Sequence, residues 1–326
     1  VIRQEPIAFL PTPLHALPRL AQALGGPQLW VKRDDLTGLA FGGNKTRKLA
    51  VLLADARARG ARTLVTAGAP QSNHCRQTAA AAAWAGLGCA LVLGGQAPAR
   101  PSANLLLDQL FGAELHWAGS EDRVAVMERV AAELAAAGRA PYVIPYGGSN
   151  ALGAAAYALA MQELAGQLAE RELHIDRVVF ASSSGGTQAG LVAGALATGF
   201  RGQLLGISVD EPAAALQARV AALAAETAAL LGVAGAIDPA TIHVNDDYCA
   251  AGYGVLGPGE REAIALAART EGLLVDPVYT GRALAGLIDL IRRGAIGRDE
   301  TVLFWHTGGQ PALFAEAYAP GLGGGV

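Results

Sequence analysis

Residues 177–190 read RVVFASSSGGTQAG. An apolar run with β-branched residues and a phenylalanine gives way to serines and glycines, then to TQAGLVAGALATG (187–199), whose alanines and leucines suit a helix. Strand, small-residue loop and helix in direct succession mark an open α/β sheet, in which ligands sit at the carboxyl ends of strands. Glycines and small hydroxyls let backbone N–H groups close on an anion, and a helix start adds unpaired donors and a favourable dipole. The loop is not a dinucleotide fingerprint, because Thr187 stands where the second motif glycine belongs, and no lysine is present to reach further phosphates. Such a cup suits one phosphate monoester. The same residues also make a tight glycine-serine turn beneath a helix.

The rhythm extends along most of the chain. LWVKR (29–33), TLVTAG (63–68), CALVLG (89–94), YVIPYG (142–147), LLGISV (204–209) and TVLFWH (301–306) read as further strands. Between them lie helical stretches such as TRKLAVLLADARARG and EDRVAVMERVAAELAAAG, with Gly60 and Gly138 at the positions that end helices. The expectation is an α/β protein with mainly parallel sheets. Alanine-rich runs at 79–83 and 221–229 are good helix formers. The glycine-rich end GLGGGV is expected to be disordered, and there is no internal repeat.

The chain has 326 residues, of which 52% are hydrophobic, 16% charged and 42 glycine, with a formal net charge of -3. That length suits two domains, each with its own core. A slightly acidic balance without a lysine or arginine run argues against nucleic acid and anionic membranes as partners, and points to a small ligand. Cys75, Cys89 and Cys249 are far apart and odd in number, so neither a disulfide framework nor a metal site follows. The opening VIRQEPIAFLPTPL lacks the long apolar core of a signal peptide. Residues 77–99 are uncharged and long enough to span a bilayer, but their glycines and alanine-rich first half fit a buried helix over about 76–86 running into a strand at 89–93. A soluble, cytoplasmic protein is expected.

Three more segments carry chemistry. In FGGNKTRKLA (41–50), Gly38 and Gly43 have P-loop spacing, but Asn44 intrudes before Lys45 and Thr46, and the preceding KRDDLTG is too polar for a buried strand. Lys45 is left to bond a cofactor, bind phosphate or decorate a solvated helix. APQSNHCRQT (69–78) follows a strand and opens a helix, so Ser72 or Asn73 can be its N-cap. Capping needs only one of them, and Gln71, Ser72, Asn73 and His74 together form an exposed donor cluster able to hold a carboxylate. Tyr253 in GYGVLG and Tyr279 in DPVYTGRA sit in turn-rich settings, as proton donors or acceptors or as surface rings. His306 in WHTGGQPALF is either a ligand contact or a hydrogen-bonded core residue. A lysine, a single-phosphate cup, a carboxylate-holding loop and acid–base tyrosines together point to a pyridoxal phosphate site, with no metal required.

In chain order, GGNKTRKL, QSNHCRQT, GGSNALG, GGTQAG, GYG, DPVYTG and HTGGQPAL resemble the D-cysteine desulfhydrase and 1-aminocyclopropane-1-carboxylate deaminase family of pyridoxal phosphate enzymes. The likeness runs from about Pro11 to Ala315. It implies the fold of tryptophan synthase β (PLP fold type II), with two open, twisted, mainly parallel sheets flanked by helices. It also implies a homodimer whose large, cofactor-bearing domain comprises residues 1–47 and 156–326, and whose small domain comprises 48–155. The resemblance puts the covalent bond to the cofactor on Lys45 and leaves Lys48 nearby but unbonded. It assigns Asn44, Asn73, Ser184, Gly185, Gly186, Thr187, Thr280 and Thr307 to the cofactor. Ser72, Asn73, His74, Tyr253 and Tyr279 fall to the substrate, with Lys45, Ser72 and the two tyrosines catalytic.

Two positions separate the branches of that family. The deaminases resemble one another in having Glu after the DPVY tyrosine and Leu before the later glycine pair, where this chain has Thr280 and Thr307, as in D-cysteine desulfhydrases. A carboxylate at the first position keeps the pyridine nitrogen protonated and the electron sink strong, whereas a thiolate leaving group drains charge itself. The implied reaction is β-elimination from D-cysteine to pyruvate, ammonia and hydrogen sulfide. L-cysteate sulfo-lyase is the alternative, with His74, Arg76 or Arg47 as the cation for the sulfonate. Deaminase activity and a catalytically silent cofactor-binding protein are weaker alternatives.

Overall fold

A computed structural model describes residues 2–323. The strands are β1 (Leu14–Ala16), β2 (Gln28–Arg33), β3 (Thr63–Gly68), β4 (Gly88–Leu93), β5 (Glu114–Trp117), β6 (Pro141–Val143), β7 (Arg177–Ser182), β8 (Gln203–Ser208), β9 (His243–Asn245) and β10 (Thr301–His306). The first six helices are α1 (Pro18–Leu24), α2 (Asn44–Ala58), α3 (Asn73–Ala85), α4 (Ala103–Leu110), α5 (Arg123–Ala136) and α6 (Ala151–Glu170). The others are α7 (Gly186–Thr198), α8 (Ala213–Leu231), α9 (Pro258–Glu271), α10 (Thr280–Arg292) and α11 (Ala319–Gly323).

Two sheets result, as expected. A six-stranded sheet has the order β1-β2-β10-β7-β8-β9, and a four-stranded sheet has the order β5-β4-β3-β6. Every neighbouring pair is parallel except β1 with β2. Parallel strands covered on both faces are apolar at successive positions, which is why these runs show so little alternation. The two-residue period appears in which core each side chain enters. Phe304 and Val179 face the core built with α9 and α10, while Leu303, Trp305 and Phe180 face α6 and α7. In the smaller sheet Leu64 and Leu91 pack towards α2 and α3, and Val65 and Val92 pack towards Val126 and Val130 of α5. Each such side chain contributes about 1.5–3 kcal/mol on burial.

Several expectations need correction. KRDDLTG does not run as a strand into the loop, since β2 ends at Arg33 and a 3-10 turn follows, yet its Lys32 and Asp34 have no exposed surface. Their charges are satisfied internally, because Arg47 bonds Asp34 at 2.8 Å and Glu163 at 2.9 Å, Lys32 reaches Glu163 at 2.5 Å, and the Tyr157 hydroxyl donates to Asp34 at 2.6 Å. This network ties β2 and α2 to α6 and leaves Arg47 no freedom to meet a substrate. The strand expected over 142–147 stops at Val143, since Pro145 and Gly147 (φ +65°) turn the chain into a 3-10 turn. α3 begins at Asn73 with Ser72 as its N-cap, one of the two expected caps, and so extends ahead of the stretch of about 76–86. Within GLGGGV, residues 321–323 close α11, and 324–326 lie outside the described residues. Residues 77–99 form most of α3 and β4, as expected. Among the described residues one helix, Ala213–Leu231, is long and apolar enough to cross a membrane, and it buries Leu216, Val220 and Ala224 in the protein's own core.

Candidate active site

The lysine of the GGNK stretch owes its position to two glycines. Gly42 (φ +64°) cannot be replaced, since a Cβ there would lie 2.1 Å from the Asp35 carbonyl oxygen. α2 then starts at Asn44, whose N–H donates to the Thr307 carbonyl at 2.9 Å and joins the helix to the loop after β10. Lys45 Nζ donates to the Gly147 carbonyl at 3.1 Å. Burial alone pulls its amine down to about 8, so it gives up its proton close to neutral pH. Lys48, one turn on, is buried and shares the same carbonyl at 3.2 Å, with Ser149 Oγ at 3.3 Å. Burial and the neighbouring Lys45 hold it far below the usual lysine range.

Opposite stands the start of α3. Ser72 Oγ accepts the Cys75 N–H at 3.2 Å, so the capping role is real. The four donors from Gln71 to His74 are not an exposed row: Ser72 and His74 are buried, and Gln71 turns away to Ser102 and Asn104. Thr66 Oγ1 donates to the Ile144 carbonyl at 2.8 Å and therefore receives the proton of His74 Nε2 at 2.9 Å. That tautomer leaves Nδ1, which has no partner among the described residues, as an acceptor. Burial and the two nearby lysines drive the His74 pKa well down, so the ring is neutral.

The glycine-serine loop after β7 turns through Gly185 (φ +85°) into α7, which has no side-chain cap at that residue. The first N–H groups of a helix lack intrahelical acceptors. Gly186 N–H finds Ser149 Oγ at 3.2 Å, and Asn44 Nδ2 donates to Thr187 Oγ1 at 3.0 Å. From the far side comes Tyr279, its hydroxyl 2.7 Å from that of Tyr253. Burial drives the pKa of both phenols up, so both hold their protons at neutral pH.

These elements line one pocket. Asn44, Lys45, Ser72, Asn73, His74, Ser184, Gly185, Thr187, Tyr279 and Thr307 all line it, and no described lining residue is acidic. Gly186, Tyr253 and Thr280 do not line it. The Thr280 hydroxyl is engaged by Asp276, accepting its N–H at 2.8 Å and donating to its carboxylate at 2.7 Å. His306 proves to be the core histidine, with Nε2 at 2.8 Å from the Leu274 carbonyl and Nδ1 accepting the Gly308 N–H. Ser182, Ser183 and Gly308, which belong to the glycine-serine loop and the HTGG turn, also line the pocket, as does Tyr146, for which position after a strand was the available signal.

Comparison with known proteins decides the family, since residues 7–308 match the pyridoxal-phosphate dependent enzymes. The chain belongs to that family. Among curated relatives of these pyridoxal-phosphate enzymes, a D-cysteine desulfhydrase of Salmonella choleraesuis (strain SC-B67) is 46% identical over 94% of this chain and 93% of its own. A D-cysteine desulfhydrase of Salmonella newport (strain SL254) is 45% identical over the same shares. A crystal structure of a 1-aminocyclopropane-1-carboxylate (ACC) deaminase homologue superposes with a TM-score of 0.90 at 37% identity, covering 98% of this chain and 95% of that one. A fungal L-serine ammonia-lyase from Rhizomucor miehei shares the fold at a TM-score of 0.67 and 18% identity, over 97% of both chains. The cavity fits pyridoxal phosphate: it offers an amine poised to deprotonate, a helix start without a side-chain cap at Gly185 to receive one phosphate, and hydroxyl and amide groups around the space between.

Proposed function

We propose that this pyridoxal phosphate enzyme is a lyase that eliminates the β-substituent of a small amino acid, with D-cysteine as substrate and pyruvate, ammonia and hydrogen sulfide as products. The observation that carries the reading is the Lys45 amine, desolvated without a counter-charge in a pocket that it lines with Ser72 and the protonated Tyr279 and that has no acidic residue among the described lining. Relatives at 45–46% identity named D-cysteine desulfhydrase support the substrate.

When bound, pyridoxal phosphate supplies an electron sink for charge at the substrate's α carbon. Ser184, Gly185 and Thr187 at the start of α7 receive the phosphate, with Gly186 behind them, and Asn73, Asn44 and Thr307 border the ring. Lys45, uncharged for part of its time near neutral pH, takes the α proton at Nζ. Ser72 and neighbouring N–H groups hold the substrate carboxylate. Tyr279, backed by Tyr253, carries a proton that can pass to the leaving sulfur. Neutral His74 adds an acceptor and shape to the substrate pocket rather than charge.

The wall chemistry also bears on the alternatives. A sulfonate leaving group needs a free cation, but Arg47 is held by Asp34 and Glu163, Arg76 donates to Asn73, Asn104 and Gly42, and His74 is neutral. This disfavours L-cysteate. Thr280, engaged by Asp276, supplies no carboxylate to strengthen the sink, which disfavours the deaminase reaction. We further infer a cytoplasmic homodimer, with a large domain of residues 1–47 and 156–326 around the six-stranded sheet and a small domain of 48–155 around the other.

The test is a product assay on cofactor-loaded protein given D-cysteine, L-cysteine, L-cysteate and 1-aminocyclopropane-1-carboxylate in parallel. Pyruvate with sulfide from D-cysteine is expected. Sulfite from L-cysteate, or 2-oxobutyrate from the cyclopropane, would overturn the substrate assignment.

A further inference from the structure

Arg76 is one of the largest fully buried side chains in the protein, yet no acidic group hydrogen-bonds to it among the described residues. Burial pulls its guanidinium down only to about 10, so it remains a cation at neutral pH. Its donors go elsewhere. Nη1 bonds Asn73 Oδ1 at 2.9 Å and Asn104 Oδ1 at 2.7 Å, while Nη2 bonds the Gly42 carbonyl at 3.0 Å. Asn104 Nδ2 adds a second donor to Asn73 Oδ1 at 3.0 Å and reaches the Gln71 carbonyl at 2.8 Å.

The arrangement decides which way Asn73 faces. An amide oxygen that accepts from both Arg76 and Asn104 is saturated, so the amide nitrogen is what Asn73 has left for the cavity it lines. A donor there meets an acceptor on the ligand. In pyridoxal phosphate the ring hydroxyl and the carbonyl carbon that bonds an amine sit on adjacent ring atoms. Asn73 and Lys45 must therefore keep a fixed relative position although they belong to different helices. The guanidinium supplies part of that link, since its other nitrogen holds the carbonyl of Gly42, three residues before Lys45, which Gln77 Nε2 also holds, and it alone joins that carbonyl to Asn73.

We propose that Arg76 and Asn104 are positioning residues that lock the Asn73 amide nitrogen towards the ring hydroxyl of the cofactor and fix its distance from Lys45. The planar fork matters, because only a guanidinium can serve Asn73 and Gly42 at once, and lysine offers a single point charge. The proposal rests on the reading of the cavity as the cofactor site, and not on the choice of substrate.

The experiment uses Arg76→Met, Arg76→Lys, Asn104→Ala and Asn73→Ala, with the double variant Arg76→Met/Asn73→Ala, each loaded with pyridoxal phosphate. Three quantities are read: retention of the cofactor on dilution, the pH titration of the bound cofactor's absorbance, and kcat and KM for D-cysteine. Arg76→Met and Asn104→Ala are expected to weaken retention about tenfold, the scale on which outer partners of ligand-holding side chains act, and to shift the absorbance titration. Arg76→Lys should recover part of the loss. The double variant should be no worse than Asn73→Ala, because the effect of Arg76 passes through Asn73. Asn104→Ala keeps the test decisive if Arg76→Met does not fold.

A wild-type titration and retention in both Arg76→Met and Asn104→Ala would overturn the proposal, as would losses that multiply in the double variant. Wild-type protein that leaves D-cysteine untouched while the absorbance shifts appear would sink the substrate assignment and support the positioning role. Wild-type protein that binds no pyridoxal phosphate would overturn both.

Discussion

Replacing Asp108 by asparagine should change how stability depends on pH. Asp108 lies on α4 with no exposed surface, and neither of its carboxylate oxygens has a hydrogen-bond partner among the described residues. Burial pushes its pKa up to about 8, against the opposing pull of Arg76. The unfolded chain releases the same proton near pH 4. Between those values the folded protein holds more protons than the unfolded chain, so stability falls as pH rises. From pH 5 to pH 7 the loss from this one group is roughly 2.5 kcal/mol, at about 1.4 kcal/mol per pH unit. The side-chain amide introduced by Asp108→Asn mimics the protonated acid and removes that slope. Urea unfolding of both proteins at pH 5, 6 and 7, with saturating cofactor, isolates the term, because the other titrating groups are common to both. The variant should gain roughly 2.5 kcal/mol on the wild type across the range. Parallel curves would refute the reasoning and mean that Asp108 is ionised and solvated in the folded protein.

Three further outcomes are expected. Lys45→Ala abolishes turnover, whereas Lys48→Ala keeps the absorbance of covalently held cofactor; loss of that band in the second variant would mean that the wrong lysine was chosen. Gly147→Ala puts a Cβ 2.4 Å from Ser184 Oγ and 3.3 Å from Lys45 Nζ at a left-handed position (φ +65°). Its cofactor affinity should fall at least about tenfold with the far-ultraviolet dichroism unchanged, since a clash of about 1.4 kcal/mol or more suffices for that. Arg47→Ala removes the cation paired with the buried Asp34 carboxylate and should cost about 3–5 kcal/mol in urea unfolding.

The strands of the two sheets were legible because parallel strands buried on both faces are continuous apolar runs, as in TVLFWH and RVVFAS. β1, β5 and β9 escaped notice because LHA, ELHW and HVN are three or four residues long and partly polar, and sheet edges need no apolar run. The site's glycine turns and helix starts were legible as local chemistry. Arg47 was different: an arginine beside a catalytic lysine reads as a ligand until Asp34 and Glu163, distant in sequence, are seen to hold it. The same holds for His306, whose partner is a carbonyl 32 residues away in the chain. Tyr146 carries no motif of its own, and only the fold brings it to the same pocket as Lys45.

The seam between β2 and β10 sets the order in which a nascent chain becomes reactive. Residues 63–143 supply every strand of the four-stranded sheet, which can close while the ribosome is still far from residue 301. β2 must wait for Thr301–His306, and the amide that opens the lysine's helix must wait for Thr307. At about 5–20 residues per second, synthesis from residue 45 to residue 307 takes on the order of 13–50 s. Until its pocket is complete, Lys45 keeps the ordinary lysine pKa of about 10.4 and is almost wholly protonated at neutral pH, a slow nucleophile towards aldehydes. Burial in the finished site lowers that value to about 8, so the nucleophile gains its neutral fraction with the completion of its own container.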